Sequence, residues 1–167
     1  MNIPLVLSLI GRKGSGKSQV VEALVRDLTQ KGFRVGVIKH LARDDFEIDQ
    51  PEKDTYRYRM GGALKVILSG RRRLALFANV EQETPLQELL SYFKGYYDLV
   101  LLEGYFLEEV PKIEIYQKGI SDLLSSGLKN VAGCFTPDEL VALLDLIEQQ
   151  LIARTGNVST LKVTDTG

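Results

Sequence analysis

Gly11-Arg12-Lys13-Gly14-Ser15-Gly16-Lys17-Ser18 spells G-x-x-x-x-G-K-S. It stands between an apolar run, Leu5-Val6-Leu7-Ser8-Leu9-Ile10, and a segment in which Val20, Val21, Leu24, Val25 and Leu28 recur at helical spacing. The order predicts strand, loop, helix, with the loop built for phosphate. Glycines at 11, 14 and 16 let the backbone turn sharply and bring its N–H groups close to phosphate oxygens. The helix that follows aims its positive N-terminus at the same anion. Lys17 is placed to reach the outer phosphates as a point charge. The Ser18 hydroxyl is placed to take one coordination site on a Mg²⁺ bridging two of them. With Gln19 in the first helical turn, the predicted binding stretch runs from Gly11 to Gln19.

A chain of 167 residues with a formal net charge of -1 can bury a core without staples and carries no general attraction for nucleic acid or anionic membranes. No nucleic acid and no membrane are therefore expected among its partners. The single cysteine, Cys134, rules out an internal disulfide framework and suits a reducing cytosol. The apolar N-terminal stretch is short, lacks a basic leader and runs straight into the loop, so it reads as a buried strand. Residues 1–154 are expected to form a single nucleotide-binding domain, and the small, polar residues 155–167 a flexible tail.

After the first helix, Gly32 marks a stop, and Arg34-Val35-Gly36-Val37-Ile38-Lys39 reads as a second strand. In open α/β sheets ligands gather at the carboxyl ends of strands, which puts Lys39 and His40 on the rim that carries the loop. His40 either binds a substrate phosphate or hydrogen-bonds to the loop backbone. The charge-dense stretch from Arg43 to Asp54 reads as a long rim loop, mobile until a cation offsets its acids. Asp54-Thr55 can cap a short helix through Met60. Leu64–Leu68 and Leu74–Phe77 are candidate strands around a turn whose Arg71-Arg72-Arg73 reads as a solvated basic edge rather than a nucleic-acid footprint. Thr84-Pro85 opens another helix.

Tyr97-Asp98-Leu99-Val100-Leu101-Leu102-Glu103-Gly104 is a continuous apolar run of the kind a strand buried on both faces shows. Its Glu103 falls at the carboxyl end, where an acid holds magnesium or its water shell in phosphate-loop enzymes, so Ser18 and Glu103 are the predicted metal residues. Asp98, at the other end, reads as a turn residue. Lys112-Ile113-Glu114-Ile115-Tyr116 alternates like a half-exposed strand near a sheet edge, able to pair with a copy of itself. Leu128–Cys134 is a candidate short strand. Thr136-Pro137-Asp138-Glu139 opens a final helix with Leu140, Leu143, Leu144, Ile147 and Leu151 inward. These elements predict an α/β protein with the three-layer P-loop NTPase fold, a mostly parallel sheet flanked by helices.

Several stretches together resemble the molybdopterin-guanine dinucleotide biosynthesis protein B (MobB) family of phosphate-loop GTP-binding proteins. They are the loop at 11–18, Val37-Ile38-Lys39-His40, Phe46-Glu47-Ile48-Asp49, Lys53-Asp54-Thr55-Tyr56-Arg57, Gly62-Ala63, Asp98 to Tyr105, and Pro111-Lys112-Ile113-Glu114-Ile115. The chain departs from the family pattern in having only His40 after Lys39 and in reading Pro51-Glu52-Lys53-Asp54 where Pro-Gly-Lys-Asp is usual. The resemblance implies a cytoplasmic homodimer that binds GTP with Mg²⁺. It implies a role assisting a MobA-like molybdenum cofactor guanylyltransferase in attaching nucleotide to molybdopterin. Intrinsic GTPase activity would be weak or absent. Hydrolysis needs a water-positioning residue near the outermost phosphate, for which Asp44, Asp45, Asp49 and Glu103 are candidates. Asp45 and Glu103 are assigned that catalytic role. The alternative is a P-loop small-molecule kinase using ATP or GTP, closed by Arg57, Arg59 or the Arg71–Arg73 run.

Overall fold

The computed structural model describes residues 3–41, 43, 47, 49–119 and 122–155. Asp44, Asp45 and most of the predicted tail lie outside them. Contacts divide the chain into two compact units, 1–40 with 89–167 and, separately, 41–88.

The first unit is built on a five-stranded sheet. Strands β1 (Leu5–Ile10), β2 (Val35–Lys39), β5 (Leu99–Glu103), β6 (Lys112–Ile115) and β7 (Val131–Phe135) run in the order β2-β5-β1-β6-β7. Every neighbouring pair is parallel. β1 is therefore central, aligned with β5 from Leu5↔Leu99 and with β6 from Ser8↔Lys112. Its odd residues Leu5, Leu7 and Leu9 join Leu99, Leu101, Ile113 and Ile115 in a core shared with two helices. These are α1 (Lys17–Gln30), through Val20, Val21, Leu24 and Leu28, and α4 (Leu140–Thr155), through Leu143, Leu144, Ile147 and Leu151. The opposite face is covered too: an added Cβ at Gly36 would lie 2.5 Å from the Phe93 ring. Cover on both faces explains why β5 reads as unbroken hydrophobicity.

Local signals set the element ends. Thr136 and Glu139 form the expected capping box, with Glu139 Oε2 accepting from the Thr136 backbone N–H at 2.7 Å. Lys31 at the end of α1 pairs with Glu148 of α4. Asp98 does more than turn the chain. Its buried carboxylate accepts from the Arg34 guanidinium at 2.5 and 2.9 Å and from the Arg34 backbone N–H at 2.8 Å, which locks the start of β2 to the start of β5.

β6 corrects the sequence expectation. It lies between β1 and β7, so it is not a sheet edge, and all four of its residues are buried. Its alternation misleads because both charged side chains are buried with partners. Lys112 Nζ donates to the carbonyls of Glu108 at 2.5 Å and Val110 at 3.0 Å. The Glu114 carboxylate accepts from the backbone N–H groups of Leu124 at 2.9 Å and Ser125 at 2.8 Å. The latter two residues belong to a short 3-10 turn, Leu124–Gly127, in the connection that sequence alone left unassigned.

The second unit holds α2 (Asp54–Met60) and an antiparallel ribbon of β3 (Lys65–Ser69) and β4 (Leu74–Ala78). α2 starts after Lys53 without a side-chain cap; Thr55 Oγ1 donates instead to Asp49 Oδ1 at 2.9 Å. Arg59 lies over the Phe77 ring, on the ribbon face that carries Val66 and Phe77. The other face presents Ile67 (57 % exposed), Leu74 (71 %) and Leu76 (44 %). Between β4 and β5, α3 spans Leu86–Ser91.

Candidate functional site

Because the large sheet is parallel, Gly11, Lys39, Glu103, Tyr116 and Thr136 all leave it at the same edge. The loop from Gly11 to Gly16 springs from the central strand and is walled by its neighbours. A Cβ at Gly11 would lie 2.2 Å from the Ile115 carbonyl oxygen of β6. One at Gly16, where φ is +90°, would lie 2.8 Å from the Pro137 side chain. Only glycine passes both points. Within the loop the Ser15 N–H donates to the Arg12 carbonyl at 3.1 Å.

Gly16 is the N-cap of α1 and offers no side chain, so the first-turn N–H groups of the helix have no capping acceptor. Lys17 is the first helical residue. Its Nζ donates to the carbonyls of Gly11 at 2.9 Å and Arg12 at 3.3 Å, which keeps the ammonium beside the loop. One residue on, Ser18 Oγ donates to Glu103 Oε1 at 2.7 Å, and Lys39 Nζ stands 3.4 Å from that same oxygen. Two strand ends and the start of α1 thus converge, with Ser18 and Glu103 85 positions apart in sequence. His40 donates its backbone N–H to the Glu103 carbonyl at 2.9 Å, and its ring packs 5.3 Å from Tyr105. Gln19 is exposed on the first turn of α1.

On the β6 side of the loop, Arg12 and Lys13 line a pocket with Ser15, Glu114, Ile115, Tyr116 and Gln117. Arg12 donates to Asp122 Oδ2 at 2.6 Å, and Gln117 Nε2 to the Gly14 carbonyl at 2.8 Å. Burial pushes the Glu114 carboxyl up, but hydrogen bonds from Ser125 and Leu124 and the nearby Arg12 charge outweigh it and hold Glu114 below the usual carboxylate range. Neither Gln117 nor Glu114 was singled out by the sequence as a site residue, because nothing in the motif points to the end of β6.

The residues fit a polyphosphate with magnesium. Ser15 Oγ is buried and has no hydrogen-bond partner among the described residues. Ser18 and Glu103 place two hard oxygen donors together beside the Lys39 ammonium, with the Lys17 ammonium held at the loop carbonyls. Among the described residues no group of three or more His, Cys, Asp or Glu forms a metal cage. Magnesium seldom asks for one, since it is usually held by one or two protein oxygens, waters and substrate phosphates.

The family model for molybdopterin guanine dinucleotide synthesis protein B matches residues 6–134, from β1 to β7. The chain belongs to the MobB family. It is 37 % identical over 120 residues to the molybdopterin-guanine dinucleotide biosynthesis adapter protein of Escherichia coli, covering 70 % of this chain and 67 % of that protein. To the adapter protein of Haemophilus influenzae it is 35 % identical over 117 residues, covering 70 % and 65 %. The match thus spans about two thirds of these MobB relatives' length. The crystal structure of a MobB homolog from Bacillus stearothermophilus superposes with a TM-score of 0.68 at 23 % identity, over 89 % of this chain and 99 % of that one. Bacillus subtilis MobB gives 0.68 at 23 %, over 87 % and 97 %. The MobB fold, a parallel sheet flanked by helices, is therefore the fold of this chain.

Proposed function

We propose that this protein is a GTP-binding accessory protein of molybdenum cofactor biosynthesis, serving the attachment of guanine nucleotide to molybdopterin. Two relatives at 35 and 37 % identity carry the name adapter protein for that synthesis, which favours an accessory role over the kinase alternative. The observation that carries the nucleotide reading is the Ser18 to Glu103 hydrogen bond at the N-terminus of α1, with Lys39 beside it and Lys17 held against the loop.

In this reading the loop N–H groups and the start of α1 bind the phosphates, and Lys17 offsets their charge. Ser18 and Glu103 hold Mg²⁺, directly or through water, and the ion when bound neutralises charge on the phosphates. Lys39 keeps Glu103 aligned toward Ser18, and His40 ties the end of β2 to that of β5. Gln19 completes the binding stretch. Glu103 is the described candidate for positioning a water; Asp45 is the other. A weak intrinsic GTPase suits a site whose loop arginine, Arg12, is engaged by Asp122. The partner is a MobA-like guanylyltransferase carrying molybdopterin, in the cytoplasm. No helix of the described residues is long and apolar enough to cross a membrane.

The homodimer is assigned to the β3–β4 ribbon instead of β6. A two-stranded ribbon is marginal alone, and the face bearing Ile67, Leu74 and Leu76 suits burial against a copy of itself. In an antiparallel two-fold arrangement, Arg71–Arg73 at the tip of one ribbon would approach Glu81 at the base of the other.

Calorimetric titration of GTP with and without Mg²⁺ tests the nucleotide reading. Lys17→Ala should weaken GTP binding sharply; equal affinity in parent and variant would show that the loop is not the phosphate site.

A further inference from the structure

Between Gly11 and Gly16 the loop has no ladder or helix to hold it, so its shape is imposed by what surrounds it. Two of the surrounding contacts are walls: the Ile115 carbonyl against Gly11 and the Pro137 ring against Gly16. Walls exclude conformations without choosing among those left. The middle of the loop is open, since a Cβ at Gly14 would meet nothing within 4 Å, and Gly14 stands at φ +81°. A glycine there turns its peptide either way at little steric cost. One orientation directs the Gly14 carbonyl toward β6. The other would swing that partial negative charge toward the phosphates.

We propose that Gln117 is a positioning residue for nucleotide binding: its side-chain amide holds the Gly14 carbonyl on the β6 side and so fixes the orientation of the loop's central peptide. The bond is Nε2 to the Gly14 oxygen at 2.8 Å, and the amide must present its nitrogen because its own oxygen would repel the carbonyl. Gln117 is well anchored for this task. The preceding residue, Tyr116, donates its backbone N–H to the Phe135 carbonyl of β7 at 3.0 Å. Two residues before that, buried Glu114 holds the turn at Leu124 and Ser125. The end of β6 is thus rigid, and through one exposed side chain it lends that rigidity to the loop. Arg12 reaches the same side, but its guanidinium donates to Asp122 and so does not set the loop's central peptide. The inference rests on the nucleotide reading above and assigns a residue that the motif at 11–18 does not contain.

Gln117→Met removes the donor and keeps the reach; Gln117→Lys restores a donor. Both are titrated calorimetrically with GTP and with inorganic tripolyphosphate, in magnesium, beside the parent. The parent is read first: no binding there overturns the proposed function and leaves nothing for Gln117 to position. With a binding parent, Gln117→Met should weaken both ligands by about 3- to 10-fold, the worth of one hydrogen bond. Thermal stability of the free protein should stay unchanged. Gln117→Lys should recover the parent affinity, also near 1 M salt, where the Debye length is about 3 Å and an added charge alone would be screened. Unchanged affinities in Gln117→Met would overturn the proposal. So would a loss confined to GTP, which would mean that Gln117 touches the nucleoside, or a lysine rescue that vanishes in salt.

Discussion

Replacing Glu103 by glutamine separates the metal role of this residue from its structural one. The amide oxygen can still accept from Ser18, so what is removed is charge. Lys39, half exposed, loses an ion pair of a kind worth about 0 to 1 kcal/mol, and the Ser18 bond falls from a charged to a neutral acceptor at a cost of about 1 kcal/mol. Stability should therefore drop by no more than about 2 kcal/mol, with an unchanged circular dichroism spectrum. The loss at the metal should stand out beside it. Residues that hold or orient a metal ligand typically cost 10- to 100-fold in affinity when changed, about 1.4 to 2.8 kcal/mol. The assay is GTP titration across a series of Mg²⁺ concentrations. The half-saturating Mg²⁺ should rise about 10- to 100-fold, whereas GTP binding without Mg²⁺ should hold or improve, because a carboxylate no longer opposes the phosphates. Ser18→Ala should shift the Mg²⁺ dependence the same way, and the double variant should fall short of the sum because both act at one place. A folded Glu103→Gln protein with the parent's Mg²⁺ response would refute the reasoning and reduce Glu103 to a surface acid at a strand end.

Gly11→Ala drives a methyl group against the Ile115 carbonyl, and overpacking of this kind costs about 1 to 3 kcal/mol, so a lowered urea midpoint together with weakened GTP binding is expected. Acid should destabilise the fold through Asp98, held low by the Arg34 hydrogen bonds, and Glu114. Both carboxyls titrate below their ordinary values of 3.8 and 4.5, so their stabilisation is full above those values and is lost as pH falls through the folded ones. Urea midpoints measured from pH 7 to 3 should fall below about pH 4, less steeply in Asp98→Asn and Glu114→Gln. Sedimentation of Leu76→Asp should show a monomer with unaltered GTP affinity; a dimer would move the interface off the ribbon.

The phosphate loop and the strand ending at Glu103 were legible because their signals are local: glycines at fixed spacing and an unbroken apolar run. What pairs with them was not. The sequence of β6 reads K-I-E-I, and alternation normally means one wet face, but Lys112 finds carbonyls and Glu114 finds amide N–H groups inside the protein. Partners that lie on the backbone of other segments leave no trace in residue type. Asp98 was read only as a turn residue for a related reason, since its partner Arg34 lies 64 positions away. Gln117 carries no signal at all; a lone glutamine after a strand is noticed only when the Gly14 carbonyl is seen in front of it. The acids at 44 and 45 belong to sequence reasoning alone, as they fall outside the described residues.

The central place of β1 also bears on how the chain folds as it is made. Leu5–Ile10 leaves the ribosome long before its strand partners, which begin at Leu99 and Lys112. At about 5 to 20 residues per second, the strand waits on the order of 5 to 20 s for its first neighbour. During that interval an apolar hexapeptide stands unpaired, the hazard a parallel sheet of distant strands carries. The loop cannot take its shape until β6 walls Gly11. Nucleotide can therefore stabilise only a chain that already includes β6, and a truncated product ending before Lys112 should gain nothing from it.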